Sequence, residues 1–235
     1  SLYGSYTQSL GPSNVFFRTD GVKMRPQSGQ QWEAGVKTEF WDGRLRMTAA
    51  YFDLTKQNIA VPDPANLTRL RPVGEAQTRG IELDITGEIL PGWQVIAAYS
   101  YLPFAKITHD VADDGAGNPT AGGTGNRLFL AAKDSGSLWS TYEFQDEALR
   151  GLKVGGGVVA VGERQGDVAN TYQLAGYVTA NLMASYQWHV GMTRLTAQLN
   201  VNNLFDVSHF AGSNAFDSAV FGMPRFFMGS IRMEF

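Results

Sequence analysis

The chain has few residues suited to chemistry, and their spacing does not gather them. Its three histidines, His109, His189 and His209, are far apart, two in segments that read as long loops and one at a tight turn. They read as solvated loop histidines, with His209 the one placed to touch a ligand. Asp206, Ser208 and His209 contain the residue types of a nucleophilic triad, but neighbours in one loop cannot converge on a substrate as separate groups. Asp110, Asp113, Asp114 and Gly115 partly match a calcium loop, yet Ala112 stands at its third position and the closing glutamate is absent. Gly155-Gly156-Gly157 lacks the Gly-Lys-Ser/Thr of a phosphate loop and instead fits a close inward contact or a bend in a wall. With no cysteine, disulfides and thiolate metal sites are excluded, and a net charge of -3 argues against a nucleic-acid surface. No catalytic set, metal site or cofactor is expected.

The elements around these residues follow period two. Ten strands are predicted, over 2–10, 29–41, 44–61, 69–90, 92–108, 127–145, 151–165, 173–188, 193–206 and 222–235. In the last, Phe227, Gly229, Ile231, Met233 and Phe235 share one face, and Met228, Ser230, Arg232 and Glu234 the other. Leu195, Ala197, Leu199 and Val201 alternate with Arg194, Thr196, Gln198, Asn200 and Asn202. Val178, Ala180, Leu182, Ala184, Tyr186 and Trp188 alternate with polar or small residues, and Ile81, Leu83 and Ile85 with Glu82, Asp84 and Thr86. One greasy and one polar face on strand after strand fits a barrel wall with lipid outside and water inside.

The connections carry an independent signal. Tight turns at 41–44, 90–93, 146–151 and 189–193 alternate with longer polar connections at 11–28, 62–68, 109–126, 166–172 and 207–221. An outer-membrane barrel has short periplasmic turns and long external loops. Trp41, Trp93, Tyr186, Trp188 and Phe235 fall at turn-proximal strand ends, where an interfacial aromatic girdle belongs. No run approaches the ~18 apolar residues of a membrane helix. No export signal precedes Ser1, so the chain reads as a mature product or a fragment. The expected fold is therefore all-β: an antiparallel up-and-down transmembrane barrel of about ten strands. Two other readings stand beside it. A self-contained ten-stranded porin or outer-membrane protease would close strand 2–10 on strand 222–235, and a soluble β-sandwich would need something to cover the apolar faces.

Several segments together resemble the C-terminal part of TonB-dependent outer-membrane receptors of the ferric-siderophore branch. They are Leu2 to Ser9, Gln31 to Lys37, Ala50 to Thr55, Gln77 to Leu83, Ser137 to Tyr142, Asn200 to Asp206, Gly222 to Arg225 and the terminal Phe235, in the family's order and spanning nearly the whole chain. The resemblance implies a plugged barrel of about 22 strands, of which residues 1–235 supply roughly the last ten. The plug domain and the TonB-contacting segment would lie upstream. It also implies the partners: ferric siderophore, TonB, the protein's own plug and outer-membrane lipid, with uptake but no enzymatic activity. Phe129 to Asp134 departs from the family pattern, as does the absence of cysteines from Ser213 to Phe221.

Ferric siderophores are bulky and often anionic or aromatic, so arginine and aromatic side chains suit them. By position near the outer loops, the expected contacts are Phe17, Arg69, Arg71, Arg164, Tyr172, Phe210, Phe216 and Phe221. The inward charges Glu33, Lys37, Glu39, Arg46, Glu82, Asp84, Arg232 and Glu234 are read as structural, facing the plug or lumen water.

Overall fold

The computed structural model describes residues 1–12, 26–63, 66–110, 112–113, 119–120, 122–213 and 218–235, with backbone alone at 60–63, 66–73, 112–113 and 119–120. Ten long strands form one antiparallel meander: β1 (Leu2–Gly11), β2 (Gln27–Phe40), β3 (Leu45–Asp63), β4 (Asn66–Leu90), β5 (Trp93–His109), β6 (Asp134–Glu143), β7 (Leu152–Val161), β8 (Tyr177–Val190), β9 (Thr193–Asn202) and β10 (Phe226–Glu234). Each pairs with its neighbours in sequence, and β1 and β10 are the two edges. They do not pair with each other, which removes the reading of a ten-stranded wall closed on itself.

Register turns the sequence alternation into a continuous surface. Trp188, Leu195 and Met233 lie in one lateral row across β8, β9 and β10; Tyr186, Ala197 and Ile231 form the next, then Ala184, Leu199 and Gly229, then Leu182, Val201 and Phe227. The same face continues through Leu138 and Val158, Ile85 and Ala97, and Met47. A one-residue slip anywhere would swap the two faces, so this agreement over eight strands is a strong constraint. The apolar face is not packed on a core: Leu182, Leu199 and Ile231 are 45%, 50% and 69% exposed. A sandwich would bury them. The opposite face carries the ion pairs Arg46–Glu39 (3.3 Å), Lys153–Glu143 (3.0 Å) and Arg232–Glu234 (2.9 Å).

The tight turns hold. Trp41, Asp42 and Gly43 all take positive φ, and Arg44 N–H donates to the Trp41 carbonyl at 3.2 Å. At the other end several boundaries move. The expected loop 62–68 is absorbed by strands: Pro62 punctuates the sequence as a loop would, yet the β3–β4 ladder passes it, with a register shift only between Pro62 and Asp63. Conversely, the strand expected over 127–145 begins only at Asp134. Leu130 has φ 59°, and the Arg127 guanidinium donates to the carbonyls of Leu102 (2.8 Å), Ala131 (3.0 Å) and Ala132 (3.1 Å), which rolls the chain into a coil. The expected strands 151–165 and 173–188 give up their outer ends to a separate two-stranded ribbon, Arg164–Gln165 with Gln173–Leu174. Strand 193–206 stops at Asn202 because Asn203 turns to φ 51°, and 222–235 begins its pairing at Phe226.

The glycine run on β7 has a specific use. A methyl group at Gly157 would lie 2.5 Å from Cε3 of Trp139 and 2.3 Å from the Leu138 carbonyl oxygen. Gly157 is thus where the Trp139 indole lies flat against the neighbouring strand on the inner face.

A candidate ligand vestibule built from three long loops

The small buried core of the described residues lies at the long-loop end. Ile107 and Val168 are its centre, with Ile59, Leu128 and Phe129 packed around them. Three loops meet there: β5–β6, β7–β8 and β9–β10. Residues 125–128 run alongside the outer part of β5, with Ile107 N–H donating to Asn126 O, Gly125 N–H to Ile107 O and Leu128 N–H to Ala105 O, each at 2.9 Å. Burial holds the Arg127 guanidinium below the ordinary arginine range, an effect that the nearby Asp134 opposes.

The second loop locks onto the first through Asn170, which has φ 59°. Its Oδ1 accepts from Arg127 N–H at 2.8 Å and its Nδ2 donates to the Arg127 carbonyl at 2.9 Å. Asn126 Nδ2 donates to Val168 O at 3.0 Å, and Leu130 N–H to Gln165 O at 2.9 Å. Asp167 fixes the local turn by accepting from Thr171 N–H (2.8 Å) and Thr171 Oγ1 (2.5 Å).

The third loop is tied to the second by Arg164. This side chain is buried, donating through Nη1 to Ala211 O (3.0 Å) and Nη2 to Phe210 O (2.7 Å). Its guanidinium also lies 5.4 Å from the Tyr177 ring, against which His209 stacks at 4.2 Å. Tyr172 Oη donates to Ser213 Oγ at 3.1 Å, and Ser213 Oγ donates in turn to Gly166 O. Within the third loop, Phe210–Ser213 pairs with Ala219–Phe221, and the Phe210 and Phe221 rings are 4.9 Å apart. Buried Asn203 anchors its root: Nδ2 donates to Val207 O (3.0 Å) and Met223 O (3.1 Å), and Oδ1 accepts from Val207 N–H (2.9 Å).

Of the expected contact residues, the structure brings together Arg164, Tyr172, Phe210 and Phe221. Phe221 is 75% exposed, whereas Arg164 is engaged in holding the loops. Arg69 and Arg71 lie on β4, where only backbone is described, with Arg71 opposite Val61. Phe17 and Phe216 lie outside the described residues, as do Asp114 and Gly115 of the partial calcium motif. His109 is the last residue of β5 and His189 the last but one of β8, instead of sitting in a loop and a turn. No group of three or more His, Cys, Asp or Glu side chains that could hold a metal occurs among the described residues. Sequence reasoning missed Asn170 and Asn203, although asparagine is the side chain most at ease at positive φ, and Asn202-Asn203-Leu204-Phe205-Asp206 carries that signal.

A family model of TonB-dependent receptor-like β-barrels matches residues 1–204. This chain belongs to the TonB-dependent receptor β-barrel family. It is 36% identical over 217 residues to the metal-pseudopaline receptor of Pseudomonas aeruginosa, covering 90% of this chain and 28% of that protein. It is 34% identical to the ferripyoverdine receptor of the same species, covering 100% of this chain and 28% of that receptor. Among solved structures, the siderophore receptor PiuA of Acinetobacter baumannii superposes with a TM-score of 0.80 at 31% identity, covering 99% of this chain and 34% of PiuA. The pyoverdine-bound receptor FpvA of Pseudomonas aeruginosa gives 0.70 at 30% identity. The TonB-dependent receptor chain thus spans 28% of those two curated relatives, and its open ten-stranded sheet is part of a larger barrel.

Proposed function

We propose that residues 1–235 form the C-terminal wall of an outer-membrane receptor that imports ferric siderophores in a TonB-dependent manner, without enzymatic activity. The observation that carries this reading is the register-continuous apolar outer face on a meander whose turns are short at one end and whose stitched loops gather at the other. Lipid is the solvent for that face, and each strand between the two edges is laddered to a neighbour on both sides, the pairing that a membrane requires of backbone groups. The remainder of the receptor would supply the other strands and the plug, for which the inner wall offers polar anchors. Glu33 accepts from Tyr3 Oη (2.6 Å) and Gln31 Nε2 (2.9 Å). Beside it Glu82, Asp84, Ser100, Ser135 and Ser137 line a hollow of about 370 Å³.

The relatives named as receptors for ferripyoverdine and ferrioxamine B support an iron–chelate ligand. Tyr172, Phe210 and Phe221, with Phe17, Arg69, Arg71 and Phe216, are proposed to meet it, and Arg164 to set the loop positions. The test is uptake of radiolabelled iron by cells whose only siderophore receptor contains this chain. Hydroxamate, catecholate and mixed-ligand ferric siderophores would be supplied with TonB present or deleted. TonB-dependent accumulation with at least one class is expected; no binding and no uptake across the panel would overturn the proposal.

A further inference from the structure

The inner wall is divided by charge. β2 to β4 turn Glu33, Lys37, Glu39, Arg46, Glu82 and Asp84 toward the lumen. Across the next four strands, residues 94–100, 135–141, 155–161 and 179–187 include no charged side chain on either face. One lateral row shows the change: Lys37 and Asp84 continue into Ala98, Ser137, Val159 and Thr179 of β5 to β8. Charge returns at the short-turn end, where Lys153 meets Glu143 (3.0 Å) and Arg194 and Arg232 share Glu234 (3.5 and 2.9 Å).

The neutral lane between these charges is also low. Trp139, its largest inward side chain, lies flat over Gly157. Thr141 and Met183 lean across Gly155, where a methyl group would come 2.8 Å from Thr141 Cγ2 and 3.4 Å from Met183 Cε. A hollow lies at each end. The one of about 370 Å³ beneath the long loops reaches Ser137 and Val159, and a second of about 700 Å³ at the short-turn end reaches Lys153, Met183 and Ser185. Val159 and Lys153 are about 20 Å apart along β7 at ~3.3 Å per residue, so the lane runs from one hollow to the other.

The two parts of the wall would hold a plug differently. Charge-assisted hydrogen bonds are about twice as strong as neutral ones, and they tighten where water is excluded. A plug paired with the charges of β2 to β4 therefore resists displacement there, whereas along β5 to β8 it gives up only neutral contacts when it moves. A passing chelate also needs a surface that holds it weakly. Fixed charges would trap an ionic cargo, and hydroxyls and a thioether let it go.

We infer that the ferric siderophore passes along the inner face of β5 to β8, in a gap that opens there while the plug stays seated on β2 to β4. This rests on the import reading above, so the experiment separates the two. The chain has no native cysteine. Ser137→Cys, Thr141→Cys, Ser185→Cys and, on the charged side, Thr48→Cys each place one thiol on the inner face of the intact receptor. Cells carrying each variant receive a ferric siderophore that the wild type imports, together with a water-soluble maleimide, with TonB present or deleted. Label is located by mass spectrometry, and iron uptake is counted in parallel. The three lane positions should be labelled roughly tenfold faster with TonB present, the ratio for an open state that rises from about a tenth of the population to become the main one. Thr48→Cys should show no such rise. A TonB-dependent rise at Thr48→Cys equal to that of the lane, lane thiols that stay unlabelled while iron enters, or lane labelling that is the same without TonB would each overturn the inference. A wild type without TonB-dependent iron uptake for any siderophore class would instead defeat the import reading, and the lane with it.

Discussion

Replacing Arg164 by alanine tests whether the three loops behave as one body. The side chain is 5% exposed and makes two charge-assisted hydrogen bonds to carbonyls of the neighbouring loop. Hydrogen bonds to charged groups contribute about 1.5–3 kcal/mol each. The freed Phe210 and Ala211 carbonyls can partly rehydrate at the rim, so the lower end applies. The expected loss is about 3 kcal/mol in the free energy of opening the third loop away from the second, or roughly a hundredfold in local opening. Amide hydrogen exchange on the intact receptor reads this at two bonds inside the loops that Arg164 braces: Gly222 N–H to His209 O (2.8 Å) in the third loop and Gly166 N–H to Tyr172 O (2.9 Å) in the second. Both should exchange roughly a hundredfold faster, while wall amides of β8 and β9 stay protected. Arg164→Lys, able to reach one carbonyl as a point donor, should recover about half of the lost protection on the free-energy scale. Unchanged exchange at Gly166 and Gly222 in the alanine variant would refute the idea that Arg164 joins these loops.

Gly157→Val places atoms where the Trp139 ring and the Leu138 carbonyl already lie. It should destabilise the wall by about 1–3 kcal/mol, seen as a lower unfolding midpoint of the receptor in detergent, and Trp139→Ala in the same chain should relieve part of the loss. Leu199→Arg introduces a charge into the apolar belt and should cost about 2–4 kcal/mol in a bilayer refolding titration. Gln198→Arg, its neighbour on the lumen face, should cost far less; equal costs would mean that the two faces do not meet different solvents. Asn203→Ala removes a buried amide with three described hydrogen bonds, and about 2–4 kcal/mol of local stability should go with them. Limited proteolysis would then cut near 207–223. The isolated 235-residue chain, with its unpaired strand edges and exposed apolar face, should associate in water; a monodisperse monomer by sedimentation without detergent would contradict that.

The wall was legible because its information is periodic and local. Each strand states its own two faces, and the turns at Trp41-Asp42-Gly43 and Pro91-Gly92 punctuate it where glycine is needed. What stayed hidden are the places where side chains override local pattern. Phe129 to Lys133 has strand-like composition, yet the chain coils there because Arg127 collects three carbonyls at once. Pro62 looked like a breaker, yet the partner strand carried the ladder past it. At the long-loop end, residue type and position picked out Arg164, Tyr172 and Phe210, which the structure brings together. That Arg164 holds backbone instead of facing outward depends on Phe210 and Ala211, some 46 and 47 residues away, and no pattern within one loop encodes it.

The stitching of the three loops bears on how such a receptor could diversify. Asn170 matches the backbone of one distant segment, and Arg164 and Ser213 match that of another. Transplanting a single loop from a cousin would leave those donors and acceptors facing strangers. New cargo preference would therefore have to be inherited as a block, with compensating changes near residues 126–130, 164–172 and 209–213 arriving together.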